Sequence, residues 1–176
     1  MEKKVKQMLP FELEDAKKLL DHYADRQSDL SKEMGNAMSQ NSETWHDNAV
    51  AEAVMQDSIV LADMAERAID IVTSATLVDI EKGNSDTITM GCVVELEYID
   101  DGLEQKVLLT GNTAGEIPDD VVEDNDDLAD AIAITTSSPL GGAINGKTIE
   151  EEASFAVPSG DIKTVKIISI KYLEFL

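Results

Sequence analysis

Two long stretches of this sequence carry apolar residues at alternating three- and four-residue steps, and no proline interrupts either of them. The first stretch predicts a helix from Phe11 to Met38 with a seam formed by Leu13, Ala16, Leu20, Tyr23, Gln27, Leu30, Met34 and Ala37. The second predicts a helix over residues 43–76 with a seam formed by Val50, Val54, Asp57, Leu61, Met64, Ala68, Ile71 and Ala75. Two helices joined by a short turn pack antiparallel, so the pattern predicts a helical hairpin.

Local signals refine this hairpin. Pro10 suits the first turn of the first helix, and acidic residues that follow it, such as Glu12, favour the positive end of the helix dipole. Gln27 is interpreted as a polar core residue that sets the register of the seam. Asp57 interrupts the second seam, where a buried carboxylate would need a polar partner.

The tip of the predicted hairpin is the stretch from Met38 to Asn48. It carries two carboxylates, Glu43 and Asp47, four residues apart, with Trp45 and His46 between them. Side chains at the tip of a hairpin are exposed, so these acids are candidate functional residues. Trp45 is interpreted either as a contact within the turn or as a contact to a partner.

Beyond a turn-rich linker at Glu81–Asp86, the helical period stops and strand patterns begin. Residues 1–80 are therefore predicted as the hairpin and residues 86–176 as a small, mostly antiparallel β-domain, which makes the fold class α+β. Ser138 and Pro139 predict the N-cap and first position of a short helix. The strands are predicted at Thr87–Tyr98, Gln105–Leu109, Ala131–Thr136, Ala153–Val157 and Thr164–Phe175.

The formal net charge is −22, which repels phosphate backbones and argues against sequence-specific DNA binding. The acidic segment Gly111–Asp130 is interpreted as a solvated loop, because its spacing does not match a calcium-binding loop. Cys92 is the sole cysteine, and no apolar run reaches about 18 residues, so the sequence predicts a cytoplasmic protein without a membrane segment.

The pattern S-S-P-x-x-x-A-x-x-G-K and the closing strand I-x-S-I-K-Y-L give the chain a resemblance to a known family. The first pattern is formed by Ser137, Ser138, Pro139, Ala143, Gly146 and Lys147, and the closing strand contains Ile168, Ile170, Lys171, Tyr172 and Leu173. Together with the hairpin, these residues make the chain resemble the Gre family of bacterial transcript cleavage factors.

The resemblance implies a coiled-coil hairpin followed by a domain of FK506-binding-protein-like fold. It implies that the hairpin enters the secondary channel of bacterial RNA polymerase, with Trp45, Ser138 and Pro139 as partner contacts. Asp47 and Glu43 would then help to hold the second Mg²⁺ of the polymerase, so that a backtracked RNA 3′ end is hydrolysed. The protein would activate the polymerase without being an enzyme and without a cofactor of its own.

The tip departs from the family pattern, and this leaves alternatives open. Asp47 matches the second acid of the family tip, whereas Thr44 stands at the position of the first and Glu43 lies one residue earlier. The second hypothesis is therefore a regulator that occupies the channel without stimulating cleavage. A third hypothesis is a prolyl isomerase or chaperone, whose pocket would need aromatic residues from the set Tyr98, Phe155, Tyr172 and Phe175.

Overall fold

The computed structural model describes residues 6–40, 49–78 and 86–173. The helices are α1 (Pro10–Gln40), α2 (Ala49–Ser74), α3 (Asp119–Glu123) and α4 (Pro139–Ile144). The strands are β1 (Lys6–Met8), β2 (Ala75–Leu77), β3 (Cys92–Tyr98), β4 (Glu104–Thr110), β5 (Ile132–Thr135), β6 (Glu152–Ala156) and β7 (Ile162–Tyr172). The predicted α+β class, a helical hairpin followed by a small β-domain, is confirmed.

The chain divides into two units. The first contains Leu13–Ala75, and the second combines Val5–Glu12 with Thr76–Leu176. The boundary predicted between residues 80 and 86 stays a prediction, because residues 79–85 lie outside the described part of the chain. In that part, no helix is both long enough and apolar enough to span a membrane.

Helix α1 follows its predicted seam closely. Its 31 residues give a length of about 46 Å at 1.5 Å per residue. Leu30 and Ala37 are buried, and Tyr23 and Met34 are partly buried against the small core that Leu30 forms with α2. Gln27 is exposed, so the prediction of a register-setting core residue at this position is wrong. The helix begins at Pro10, one residue earlier than predicted.

Helix α2 follows its predicted seam in part. Val54, Leu61 and Ala68 are buried, and Ala51, Ser58 and Ala65, each three residues before one of them, are half-buried. Of the other predicted seam positions, Val50, Asp57 and Met64 are exposed, so the prediction is wrong for them, and the half-buried residue lies one position further along the chain in each case. Ile71 is half-buried as predicted, and Ala75 lies in β2, beyond the end of the helix. The carboxylate of Asp57 therefore lies on the solvent-facing side of the helix.

We expect Leu61→Ala to lower the free energy of unfolding by about 2 kcal/mol, because it leaves a cavity beside Leu30 and Val54. Met64→Ala is the matched control, since Met64 is 46% exposed whereas Leu61 is 9% exposed. It should change stability by about 0.5 kcal/mol or less. Urea denaturation followed by circular dichroism measures both variants. Equal losses of unfolding free energy in the two variants would show that Met64 belongs to the buried seam, as the sequence predicts.

The second unit is built on a five-stranded sheet with the order β5-β4-β3-β7-β6. Strand β4 pairs parallel with β5, and the other neighbours are antiparallel. All five predicted strands are present, with ends that differ by a few residues. The largest difference is at the first, which begins at Cys92 because Gly91 adopts a φ of 90° in the preceding turn. The β3–β7 register shifts between Glu95 and Leu96.

Alternate residues of β3 contribute side chains to two cores on opposite faces of this sheet. Cys92, Val94 and Leu96 pack with Val165, Ile167 and Ile144 on one face. Val93 packs on the other face with Leu108 of β4. The second core also contains Leu9, Phe11, Ile117, Leu128, Ala133 and Leu173. The period of two along the strand therefore separates the two cores.

The acidic residues of the segment 111–130 are exposed, as predicted, but the segment is folded and its interpretation as a loop is wrong. It contains α3 and a 3-10 turn at Asp126–Leu128, with Ile117 and Leu128 buried in the second core. Lys171 of β7 donates to Asp127 at 2.6 Å. This hydrogen bond and the negative charge of Asp127 raise the pKa of Lys171. The apolar residues between the acids are enough to hold the segment against the sheet.

Candidate functional site

The tip residues Glu43, Trp45 and Asp47 lie outside the described residues, which stop at Gln40 and resume at Ala49. In the chain, this stretch lies between helices α1 and α2. The roles of the three residues as magnesium-recruiting acids and as a partner contact stay predictions. Elsewhere, across the described ranges, no group of three His, Cys, Asp or Glu side chains is arranged to hold a metal ion.

The predicted cap at Ser138 is confirmed. Its hydroxyl accepts a hydrogen bond from the Gly141 N–H at 3.1 Å and donates to the Thr135 carbonyl at 2.8 Å. Pro139 occupies the first turn of α4, where its missing N–H has no consequence. Pro139 and Ser137 are exposed beside the half-buried Ser138. The turn therefore presents an accessible surface on a rigid base.

Gly141 explains why this turn is tight. It is buried, and a Cβ at this position would overlap the backbone carbonyl of Thr135. Only glycine allows α4 to approach the end of β5 this closely. Ile144, on the same helix, is fully buried in the first core. The S-S-P turn is therefore held by a cap at one end of α4 and by core packing at the other.

We expect Ser138→Ala to lower the free energy of unfolding by about 1 kcal/mol, because the N-cap bond to Gly141 is lost. Ser137→Ala is the control, since Ser137 is exposed and does not cap the helix. It should change stability by about 0.5 kcal/mol or less. Thermal unfolding monitored by circular dichroism compares the two. Equal stability of both variants would show that the cap contributes nothing.

The G-K element of the motif forms a second turn. Gly146 has a φ of 80°, a left-handed conformation that favours glycine, and its N–H donates to the Ile88 carbonyl at 2.7 Å. The Ile88 N–H donates to the Lys147 carbonyl at 2.7 Å. The Tyr172 hydroxyl donates to the Thr87 carbonyl at 2.5 Å. Motif residues that are distant in sequence thus connect the segment before β3 with the end of β7.

A buried carboxylate at the start of α1 was not singled out as a site from the sequence. Glu12 is 3% exposed, and its two oxygens accept four backbone N–H groups. The donors are Leu9 at 2.8 Å and Gly111 at 3.0 Å to Oε2, and Asn112 and Thr113, both at 2.6 Å, to Oε1. We call this arrangement the Glu12 socket. It ties the first turn of α1 to the loop after β4, both within the second unit.

The sequence contains half of the signal for the Glu12 socket. A Glu at the third helical position that accepts from the residue before the helix is one half of a capping box, and Leu9 and Glu12 have this spacing. Nothing local points to residues 111–113, which lie about 100 positions away in the chain. Close approach also needs Gly111, because a Cβ there would overlap the Gln7 carbonyl.

An open cleft of about 520 Å³ lies at the end of the first core, and we call it the aromatic cleft. The rings of Tyr98 and Phe155 meet edge-on with centroids 6.5 Å apart, and Lys163 Nζ lies 5.4 Å from the Tyr98 ring centroid. Burial raises the pKa of the Tyr98 phenol, and the charge of Asp101 raises it further. The neutral hydroxyl donates to Gln105 at 2.9 Å. The full lining is Tyr98, Asp101, Leu103, Glu104, Gln105, Phe155, Val157 and Lys163.

The aromatic residues named for a prolyl isomerase are only partly brought together. Tyr98 and Phe155 share the aromatic cleft, whereas the Tyr172 hydroxyl is bound to the Thr87 carbonyl. Phe175 lies outside the described residues. Sequence reasoning did not find the polar members Gln105 and Lys163, because they join the cleft only through strand pairing.

Comparison with known families identifies the chain. Residues 82–172 match the family described as transcription elongation factor, GreA/GreB, C-terminal. The chain belongs to the GreA/GreB family. The matched region contains the S-S-P turn and all five strands of the sheet, and it excludes the hairpin tip. Membership therefore confirms the family resemblance and makes the protein a GreA/GreB-like transcription elongation factor.

Individual relatives of this GreA/GreB family member are distant. It is 25% identical over 130 residues to transcription elongation factor GreA of Rickettsia bellii, covering 74% of this chain and 73% of the relative. It is 26% identical over 144 residues to GreA of Neorickettsia sennetsu, covering 82% and 77%. Among solved structures, GreA factor homolog 1 of Thermus thermophilus is 20% identical with a TM-score of 0.41, over 96% of this chain and 99% of that one.

Proposed function

We propose that this GreA/GreB family member binds bacterial RNA polymerase, places its hairpin in the secondary channel and stimulates hydrolysis of backtracked RNA. The observation that carries the proposal is the family match over residues 82–172 on a chain whose first unit is a helical hairpin. Helix α1 is about 46 Å long, which gives the hairpin the reach that a channel requires.

The surface of α2 supports insertion of the hairpin into another protein. A helix that is solvated on its outer side needs only one apolar stripe, and the seam of Val54, Leu61 and Ala68 supplies it. Further large apolar side chains are exposed outside this seam, at Val50, Met55, Ile59, Val60, Met64 and Ile69. Exposed apolar surface of this extent is typical of a protein interaction site.

The chemical role falls to Asp47, with Glu43 as the second candidate acid. Two Mg²⁺ ions about 4 Å apart stabilise an in-line displacement at phosphorus, and the more weakly held ion can take ligands from outside the polymerase. Carboxylates are the ligands that Mg²⁺ prefers. The chain would supply ligands to the magnesium of the polymerase, and the polymerase would carry out the hydrolysis.

The turn at Ser138–Pro139 is the proposed docking contact of the β-domain, and Trp45 is the proposed contact of the tip. An exposed proline on a capped helix start presents a fixed shape and loses little conformational entropy on binding. A Pro139→Ala variant separates docking from stability, because the cap bonds of Ser138 do not involve the proline ring.

A second candidate function is occupation of the channel without cleavage, and Thr44 at the position of the first tip acid favours it. A purified system distinguishes the two. Polymerase binding is measured by competition with another secondary-channel protein, and RNA length is measured on backtracked complexes. Binding with faster shortening supports stimulation, binding without shortening supports the second function, and no binding overturns both.

A further inference from the structure

Strand β6 forms one edge of the five-stranded sheet, and the bonds it makes leave its outer side open. The Ile167 N–H donates to the Glu151 carbonyl at 3.0 Å, and the Val157 N–H donates to the Asp161 carbonyl at 3.0 Å. Antiparallel pairing alternates between hydrogen-bonded and non-hydrogen-bonded pairs, so Ala153 and Phe155 also face β7. The N–H and C=O groups of Glu152, Ser154 and Ala156 therefore point away from the sheet.

The two edges of the sheet differ in how they are protected. At the β5 edge, Gly115 and Ala133 exchange two backbone hydrogen bonds, of 2.9 and 2.8 Å, which cover the middle of the strand. At the β6 edge, no other strand of the described ranges pairs with Glu152, Ser154 or Ala156, and all three are exposed. Edge strands are usually blocked by lysine, proline or a bulge, and none of these occurs within β6.

We propose that the β6 edge binds an extended, lysine- or arginine-rich segment of a partner protein by strand addition. Main-chain hydrogen bonds to Glu152, Ser154 and Ala156 would supply the affinity in this mode of recognition. An apolar side chain of the segment opposite Phe155 would lie against the aromatic cleft, whose rings already meet at that strand. The inference goes beyond the proposed function, which uses the hairpin and the S-S-P turn.

The negative charge around the β6 edge favours a basic segment as its binding partner. The edge and the aromatic cleft together carry six carboxylates, Asp101, Glu104, Glu150, Glu151, Glu152 and Asp161, against Lys147, Lys163 and Lys166. Two of these lysines are already paired, Lys166 with Glu150 at 2.5 Å and Lys147 with Glu151 at 3.4 Å. A second copy of this chain would bring another −22 of charge to the same edge, so self-pairing is disfavoured.

The test uses the full-length, ¹⁵N-labelled protein and a short synthetic peptide in which lysine alternates with valine. We expect amide shifts and slower hydrogen exchange at Glu152, Ser154 and Ala156 when the peptide is added. Binding should weaken as salt is raised. The matched control peptide has glutamate in place of lysine and should not bind.

Two variants probe the backbone contact. Ser154→Pro removes one outward N–H, and we expect about tenfold weaker binding, whereas Ser154→Ala keeps the N–H and should bind like the parent. The inference is overturned by unchanged exchange at the three amides, by equal binding of both peptides, or by equal binding of the two variants. Without peptide, amide exchange at these three residues that becomes slower as the protein concentration rises would show that a second copy binds the edge. This result would also overturn the inference. If Ser154→Pro does not fold, the exchange pattern of the parent protein decides.

Discussion

Asp47→Ala should slow transcript shortening on backtracked complexes by about 100-fold while leaving polymerase binding in place. The reason is that a carboxylate at the hairpin tip is proposed as a ligand of the second Mg²⁺, and alanine offers no oxygen to the ion. Docking by the hairpin and by the Ser138–Pro139 turn does not require this oxygen. The measurement is the rate of RNA shortening at saturating factor, together with a competition assay for binding.

Asp57→Ala is the matched control for this experiment. It removes the same functional group from the same hairpin, and Asp57 is exposed on α2, ten positions along the chain from the tip acid. Its cleavage rate should equal that of the parent. An unchanged rate in Asp47→Ala would exclude this carboxylate as the ligand. A parent protein that binds polymerase but does not shorten RNA would instead establish the channel-occupying function.

Replacing Glu12 by alanine should lower the free energy of unfolding by about 3–5 kcal/mol. The side chain is buried, and its loss leaves the N–H groups of Leu9, Gly111, Asn112 and Thr113 without the acceptor they now share. Glu12→Gln should also destabilise, because an amide NH₂ replaces one of the two accepting oxygens and faces N–H donors. Urea denaturation followed by circular dichroism measures both changes.

Glu14→Ala controls for the general effect of removing an acid from the first turns of α1. The Glu14 side chain is 68% exposed, and its one ion pair in the described residues is a 3.7 Å contact with Lys18. Exposed pairs of this kind contribute little, so the variant should lose about 0.5 kcal/mol or less. If Glu12→Ala is no more destabilising than Glu14→Ala, the Glu12 socket does not hold the start of the helix.

The two helices show where periodicity suffices and where it does not. In α1 the apolar residues mostly lie on one side, so Leu30, Met34 and Ala37 could be assigned to the seam from spacing alone. In α2 apolar residues occupy most faces, and several seams satisfy the same three-four spacing. Packing against α1 selected the seam through Leu61 and left Met64 in solvent.

In the β-domain, too, some features follow from local sequence and others depend on contacts between distant residues. The strands and the Ser138 cap follow from side-chain alternation and turn residues, which act over a few positions. The acidic segment 111–130 is folded and not the loop predicted from its charge density, because Ile117 and Leu128 are buried. The aromatic cleft and the open β6 edge depend on strand order, which pattern alone does not specify.

By itself the sequence determined the fold class, the hairpin, the five strands, the capped S-S-P turn and, through its motifs, the family. These features depend on contacts between residues close in the chain, or on spacings that a family shares. Only the tertiary structure decided the exposure of Val50, Asp57 and Met64 on α2, the burial of Glu12 and the exposure of the β6 edge. Each of these is settled by neighbours distant in sequence, because a buried or exposed state is a property of the surroundings and not of the residue.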